Sequence, residues 1–272
     1  MNFTYKTTNR IIMNEKAIAT DLIQKFIEKK AILKYANLSE DNIYSGWVSN
    51  FQLKLSDGNL MSLDLKEEKD LFLLFVLAIT WSRTGPWENA AFFTTYLKHN
   101  KKDNFEYWIK KENIRSEVFN REISANSIFK IVSGIIPRRK ISFRDDIFES
   151  IYILSNKWNK IKNELSTSSL TGNYKTFINF MRNIDGLAGP SKKISIKIPL
   201  ILRELRCQNI YNNIPGEFCC VADARVVKAA KDLGIRLPTV TRTTNNLINV
   251  STIIYELFGD LYDLPLFAYE DL

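Results

Sequence analysis

The chain has 272 residues, 45% of them hydrophobic and 25% charged, and 38 basic against 30 acidic side chains give a net charge of +8. This composition can bury a core, which excludes global disorder, and only ten Gly and seven Pro disfavour a turn-rich all-β protein. Three cysteines without paired C-x-x-C spacing exclude a zinc ribbon, a disulfide framework and a four-cysteine iron–sulfur loop, and the single His99 excludes any site needing two histidines.

In chain order, Ile18, Leu22, Ile23, Phe26, Ile27 and Leu33 follow helical spacing and predict an amphipathic helix over 14–36. "FQLKLSDGNLMSLDL" alternates about Asp57-Gly58 and predicts a small β-hairpin. The run "LFLLFVLAI" from Leu71 to Ile79 is apolar on every side, which predicts a central buried helix continuing into "TWSRTGPWENAAFF". It is too short to cross a bilayer.

Further helices are expected over 103–112, 115–134 and 143–164, the last opened by Ser142 with Asp145 at capping-box spacing. A Ser/Thr-rich connector, "STSSLTGN", precedes a helix over 174–185, and another follows over 192–206 with Pro199 inside it, predicting a kink. Between these two lies "DGLAGPSKKIS", a tight turn leading to two adjacent lysines. The chain therefore reads as mainly α with one small hairpin.

A polar N-terminus lacks the apolar core of a secretory signal, and adjacent Cys219 and Cys220 suit small buried hydrophobes. The expectation is an intracellular protein with no membrane contact. The basic excess is mild, so it permits a polyanionic partner without requiring one.

A helix, a turn at Leu187-Ala188-Gly189 and a second helix is also the outline of an ordinary αα-turn. The continuation favours more. "LAGPSKKIS" followed by "VADARVVKAAKDLGI" resembles the helix-hairpin-helix DNA glycosylase superfamily, in which a hairpin of pattern L-x-G-x-G-x-K precedes an Asp and a short helix ending in Leu-Gly. Upstream, "TWSRTGPWENAAFF" resembles the family segment that fills the gap left by a flipped base.

The likeness runs in order over roughly 70–235, with its specificity in two short motifs. Ser191 stands in place of the second hairpin Gly, and Pro190 removes one backbone N–H. The interval from Lys193 to Asp223 is longer than in iron–sulfur members, so in style the chain is most similar to the archaeal 8-oxoguanine glycosylases.

The resemblance implies a two-lobed fold: a helical lobe over 70–206 ending in the helix-hairpin-helix, and a second lobe formed by 1–69 and 207–272. It implies a base-excision glycosylase with lyase activity, acting as a monomer on double-stranded DNA with a damaged or modified base, 8-oxoguanine first, and needing no cofactor or metal. Lys193 stands at the nucleophile position and Asp223 at the acidic position. Gly189, Ser191 and Lys192 belong to the phosphate-holding hairpin, and Ser82 and Arg83 to the gap-filling segment.

Residue chemistry admits these roles and plainer ones. A lysine beside another cation at a helix start has its amine form favoured, as a nucleophile requires, but most Lys-Lys pairs are solvated. Asp223 precedes an apolar-periodic helix and is equally placed to cap it. Trp81, Trp87 and Phe92 could stack on a base or fill the core. Arg138, Arg139, Lys140 and Arg144 form a basic cluster that could follow phosphates or lie on an exposed loop. The alternative function is a helix-hairpin-helix protein that binds DNA without chemistry.

Overall fold

The computed structural model describes residues 3–29, 38–46, 54–55, 62–84, 87–120, 122–124, 132–133, 140–142, 144–187, 194–211, 213–238 and 243–272. The fold is mainly α-helical. Internal contacts divide the chain into two compact units: Met1–Ser45 with Pro215–Leu272, and Gly46–Ile214.

The second unit is built around α2 (Glu68–Thr84), with α3 (Trp87–His99), α4 (Phe105–Trp108), α5 (Lys111–Phe119), α6 (Asp145–Thr171), α7 (Tyr174–Arg182) and α8 (Ile194–Cys207). Phe72 to Thr80 are all at most 1% exposed, as expected of a helix apolar on every side. Thr80 satisfies its buried hydroxyl by donating to the Val76 carbonyl at 2.8 Å. The helix packs on α3, α6 and α8. Phe72 and Phe75 meet the Trp158 ring edge-on at 5.2 and 5.3 Å between centroids, and Phe75 meets Phe177 at 6.4 Å. Each such side chain contributes about 1.5–3 kcal/mol by leaving water. Trp158 keeps its indole N–H satisfied on Glu68 Oε1 at 2.9 Å.

Among the described residues, four short strands accompany these helices. β1 (Lys54–Leu55) pairs antiparallel with β3 (Val132–Ser133), and β2 (Glu122–Ser124) with β4 (Lys140–Ser142), Ile123 lying opposite Ile141. The expected Asp57-Gly58 turn lies outside the described residues.

The first unit joins both ends of the chain. α1 (Phe3–Lys29) contributes Ala19, Leu22 and Phe26 to a core shared with α9 (Ala224–Asp232), α10 (Thr244–Phe258) and α11 (Leu264–Ala268). Tyr262 is 2% exposed and lies between two rings, Tyr44 at 5.9 Å and Tyr255 at 6.0 Å. The Tyr44 N–H donates to the Asp260 carbonyl at 3.2 Å, and the Arg236 N–H to Glu15 Oε1 at 3.0 Å.

Several expected boundaries are corrected. The helix expected over 115–134 stops at Phe119, because Asn120 turns its side chain onto the Ser116 carbonyl and β-branched Ile123 enters a strand. The helix expected over 103–112 is two pieces, the first capped by Asn104. Ser142 does not cap α6: it sits in β4 opposite Glu122, and Arg144 holds the N-cap position. The Ser/Thr-rich segment is helical through Thr171, and α6 ends only at Gly172, whose φ of 67° suits the left-handed position. α7 ends at Arg182, three residues before the expected end.

Candidate nucleic-acid interface

At one end of the second unit, the last turn of α2, the first turns of α6 and the turn after α7 come together, with α8 beside α2. The bonds described below link them. Arg83 closes α2 and its guanidinium pairs with the Asp146 carboxylate in the first turn of α6. Each charge complements the dipole of its own helix. The Arg83 side chain is 5% exposed, and burial, with the Arg144 charge adding to it, lowers its pKa. Arg144 Nε stands 3.6 Å from the other Asp146 oxygen.

One turn further along α6, the Ser150 hydroxyl bonds to the Asp146 carbonyl at 2.6 Å and reaches the Gly186 carbonyl at 3.1 Å. Gly186 has φ of +76°, and a Cβ there would stand 2.6 Å from Ile153 Cδ1. A side chain is therefore refused twice, by backbone conformation and by space. Leu187, 0% exposed, anchors the end of the turn in the core.

From α8, Lys197 brings its ammonium to 3.8 Å from the centroid of the Trp81 ring on α2. Lys197 is 5% exposed and Trp81 half-buried. A desolvated ammonium on an indole face gains about 2 kcal/mol or more. Ile194, Ile198 and Ile201 around it on α8 are buried.

The expected site residues distribute as follows. Trp81 and Arg83 belong to this end. Ser82 adjoins them, its hydroxyl bonded back to the Ala78 carbonyl at 2.7 Å. Phe92 is 1% exposed and part of the core, with no accessible ring face. Trp87 opens α3, and its side chain lies outside the described residues. Arg138, Arg139, Gly189, Ser191, Lys192 and Lys193 also lie outside them. Asp223 belongs to the first unit and caps α9, its Oδ1 accepting from the Arg225 and Val226 N–H groups at 3.1 and 3.2 Å.

Sequence reasoning passed over Gly186, Asp146, Ser150 and Lys197. Lys197 carried a signal, a lone cation within the apolar run "IKIPLIL". Asp146 and Ser150 carried none, since their role depends on Arg83 and Gly186, far away in sequence.

Among the described residues, no group of three or more His, Cys, Asp or Glu side chains is arranged to hold a metal ion, and no helix is long and apolar enough to cross a membrane. No family model, curated protein or solved structure matches the chain.

Proposed function

We propose that the chain is a base-excision DNA glycosylase with lyase activity. The observation that carries this is the Gly186 turn after α7, docked on α6, together with α8, which lays Lys197 on Trp81. In the hairpin that the sequence resembles, a glycine turn and the start of the next helix hold a phosphate through backbone N–H groups. A half-buried tryptophan beside it is suited to stack on an extruded base. The net charge of +8 agrees with a polyanionic partner.

In this reading the Lys193 amine attacks C1′ of the lesion nucleotide as the C1′–N bond breaks and the base leaves with its electron pair, taking up a proton. The C1′–O4′ bond then opens, O4′ taking up a proton as the lysine nitrogen gives one up, and the imine so formed loses a C2′ proton as the C3′–O bond breaks, which nicks the strand. The Asp223 carboxylate stabilises positive charge developing on the sugar. 8-Oxoguanine is the first base to test. The monomeric state belongs to the same proposal.

Trapping tests it. Abasic-site duplex and borohydride should give a covalent protein–DNA adduct, because the imine is reducible, and Lys193→Ala should abolish it. No adduct from the wild type removes the lyase mechanism.

A second reading, DNA binding without chemistry, is favoured by one observation: Asp223 already has a structural task as the cap of α9. Tight, salt-dependent duplex binding with neither excision nor adduct would select it.

A further inference from the structure

We infer that Asp263 and Ser251 are positioning residues for Asp223: together they hold the buried segment that sets its carboxylate at the start of α9. The inference rests on the base-excision reading, in which Asp223 acts on the sugar. Its starting point is two hydrogen bonds inside the first unit. The Val221 N–H donates to Asp263 Oδ1 at 2.7 Å, and the Cys220 N–H to Ser251 Oγ at 2.9 Å.

Residues 219–223 belong to no helix or strand, yet Cys219, Cys220, Val221 and Ala222 are at most 6% exposed. Irregular backbone ordinarily runs over the surface, where water satisfies its N–H groups. Buried here, it depends on side chains for that. Ser251 lies in α10 and Asp263 at the start of α11, so distant helices fix the chain three and two residues before Asp223. Asp223 in turn accepts from the Arg225 and Val226 N–H groups. Its carboxylate is thus placed from both sides.

Asp263 makes its contact against two opposing terms. It stands at the N-cap position of α11 but makes no cap hydrogen bond there, turning instead to backbone 42 residues away. It is 3% exposed, and burying a carboxylate costs more than burying an amide or a hydroxyl. Tyr262 before it has φ of 53° and ψ of −133°, close to Gly259 at φ of 55° and ψ of −139°. A glycine adopts this conformation freely, whereas a tyrosine is strained in it. Packing of the Tyr262 ring between Tyr44 and Tyr255 keeps the strain in place. Such strain gathers at functional sites. Here the strain and the buried charge converge on one contact, from Asp263 to the segment that ends in Asp223.

Amide hydrogen exchange of the full chain tests the placement without a catalytic step, and single-turnover excision from an 8-oxoguanine duplex tests its consequence. In Asp263→Ala the Val221 N–H should exchange at least about tenfold faster, the loss expected of a bond to a charged acceptor. The Arg225 and Val226 amides should accelerate with it, while amides in the middle of α10 stay protected. Base release should slow about ten- to a hundredfold with duplex affinity within about twofold, as for a misplaced catalytic group. Asp263→Asn keeps an acceptor oxygen and should recover most of the protection and most of the rate. Ser251→Ala should give the same pattern in weaker form, and it carries the test if Asp263→Ala does not fold.

Faster exchange at Val221 with unchanged Arg225 and Val226 amides overturns the inference, since the bond then satisfies only its own N–H. So does equal acceleration throughout α10 and α11, or failure of both variants to fold, which would make the contacts part of the core alone. The outcome is separable from the glycosylase reading. Coupled exchange at Val221 and the α9 cap amides, without excision by the wild type, keeps the positioning and removes the enzyme. Wild-type excision that Asp263→Ala leaves unchanged does the reverse.

Discussion

Arg83 and Asp146 tie the C-terminus of α2 to the N-terminus of α6 through an ion pair whose arginine is 5% exposed. Neither helix end has this partner in its own segment, so the pair sets how the two helices meet. Removing Asp146 leaves the Arg83 charge buried and unpaired, which costs about 3–5 kcal/mol when burial is complete, whereas removing Arg83 leaves Asp146 with Arg144 alone. Asp146 is 22% exposed, which places the expected loss at the lower end. Arg83→Ala and Asp146→Ala should each lower stability in urea melts. The double variant should lose clearly less than the sum of the two, because it leaves no orphaned charge.

The same pair bears on DNA. If Arg83 also fills a gap in the base stack, Arg83→Ala should weaken lesion-duplex binding more than single-strand binding, since only a duplex has a stack to fill. Equal losses on both substrates, measured by fluorescence anisotropy at one fixed salt concentration, would make Arg83 a helix clamp alone.

Gly186 is the position where the turn after α7 admits no side chain. Gly186→Ala meets both a positive φ and the 2.6 Å approach of Ile153 Cδ1. The conformational term costs about 1–2 kcal/mol. Ile153 can rotate to relieve part of the contact. The variant should therefore fold with a lowered melting temperature, and duplex affinity should fall more than for Gly172→Ala. Gly172 also has positive φ but has nothing within 4 Å of an added Cβ.

Asp223 separates structure from chemistry through two substitutions. Asn caps a helix about as well as Asp, whereas Ala loses about 1 kcal/mol. Asp223→Asn should keep the stability of the wild type and Asp223→Ala should fall below it. Both should slow base release if the carboxylate acts on the sugar. If excision in Asp223→Asn matches the wild type, the residue is only the α9 cap.

Glu68 provides a pH test remote from the proposed chemistry. Its hydrogen bond from Lys162, with that of Trp158, holds its carboxyl below the ordinary range although burial opposes this. A carboxylate with a depressed folded-state pKa contributes stability that is present above its unfolded pKa and is lost as pH falls through the folded value. Stability should thus decline below about pH 4.5, and in Glu68→Gln this contribution to the acid decline should be absent. The side chain is 49% exposed, so the effect should stay within about 1 kcal/mol. Urea melts from pH 7 to 3 measure it.

Helix existence was readable wherever pattern and length agreed. The apolar run of α2 and the cap-to-glycine frame of α9, from Asp223 to Gly234, needed no tertiary information. Boundaries were readable where glycine or a cap marked them. They were missed at 120–142, where the chain leaves a helix to pair with distant segments: β3 with β1 and β4 with β2. Strand pairing of two or three residues leaves almost no periodic signal.

The sequence by itself determined a mainly helical chain with a core, and a tryptophan and an arginine two positions apart at the end of a buried helix. These follow from local periodicity, backbone allowance and composition, which act within a few residues. Tertiary structure alone decided that Arg83 is held by Asp146, that the Gly186 carbonyl rests on Ser150, that Phe92 is core, and that Lys197 lies on Trp81. Each of these depends on helices far apart in sequence packing at a particular angle and register. Whether a polar or aromatic side chain is paired, buried or open is set by what the neighbouring helix brings against it, which local sequence does not encode.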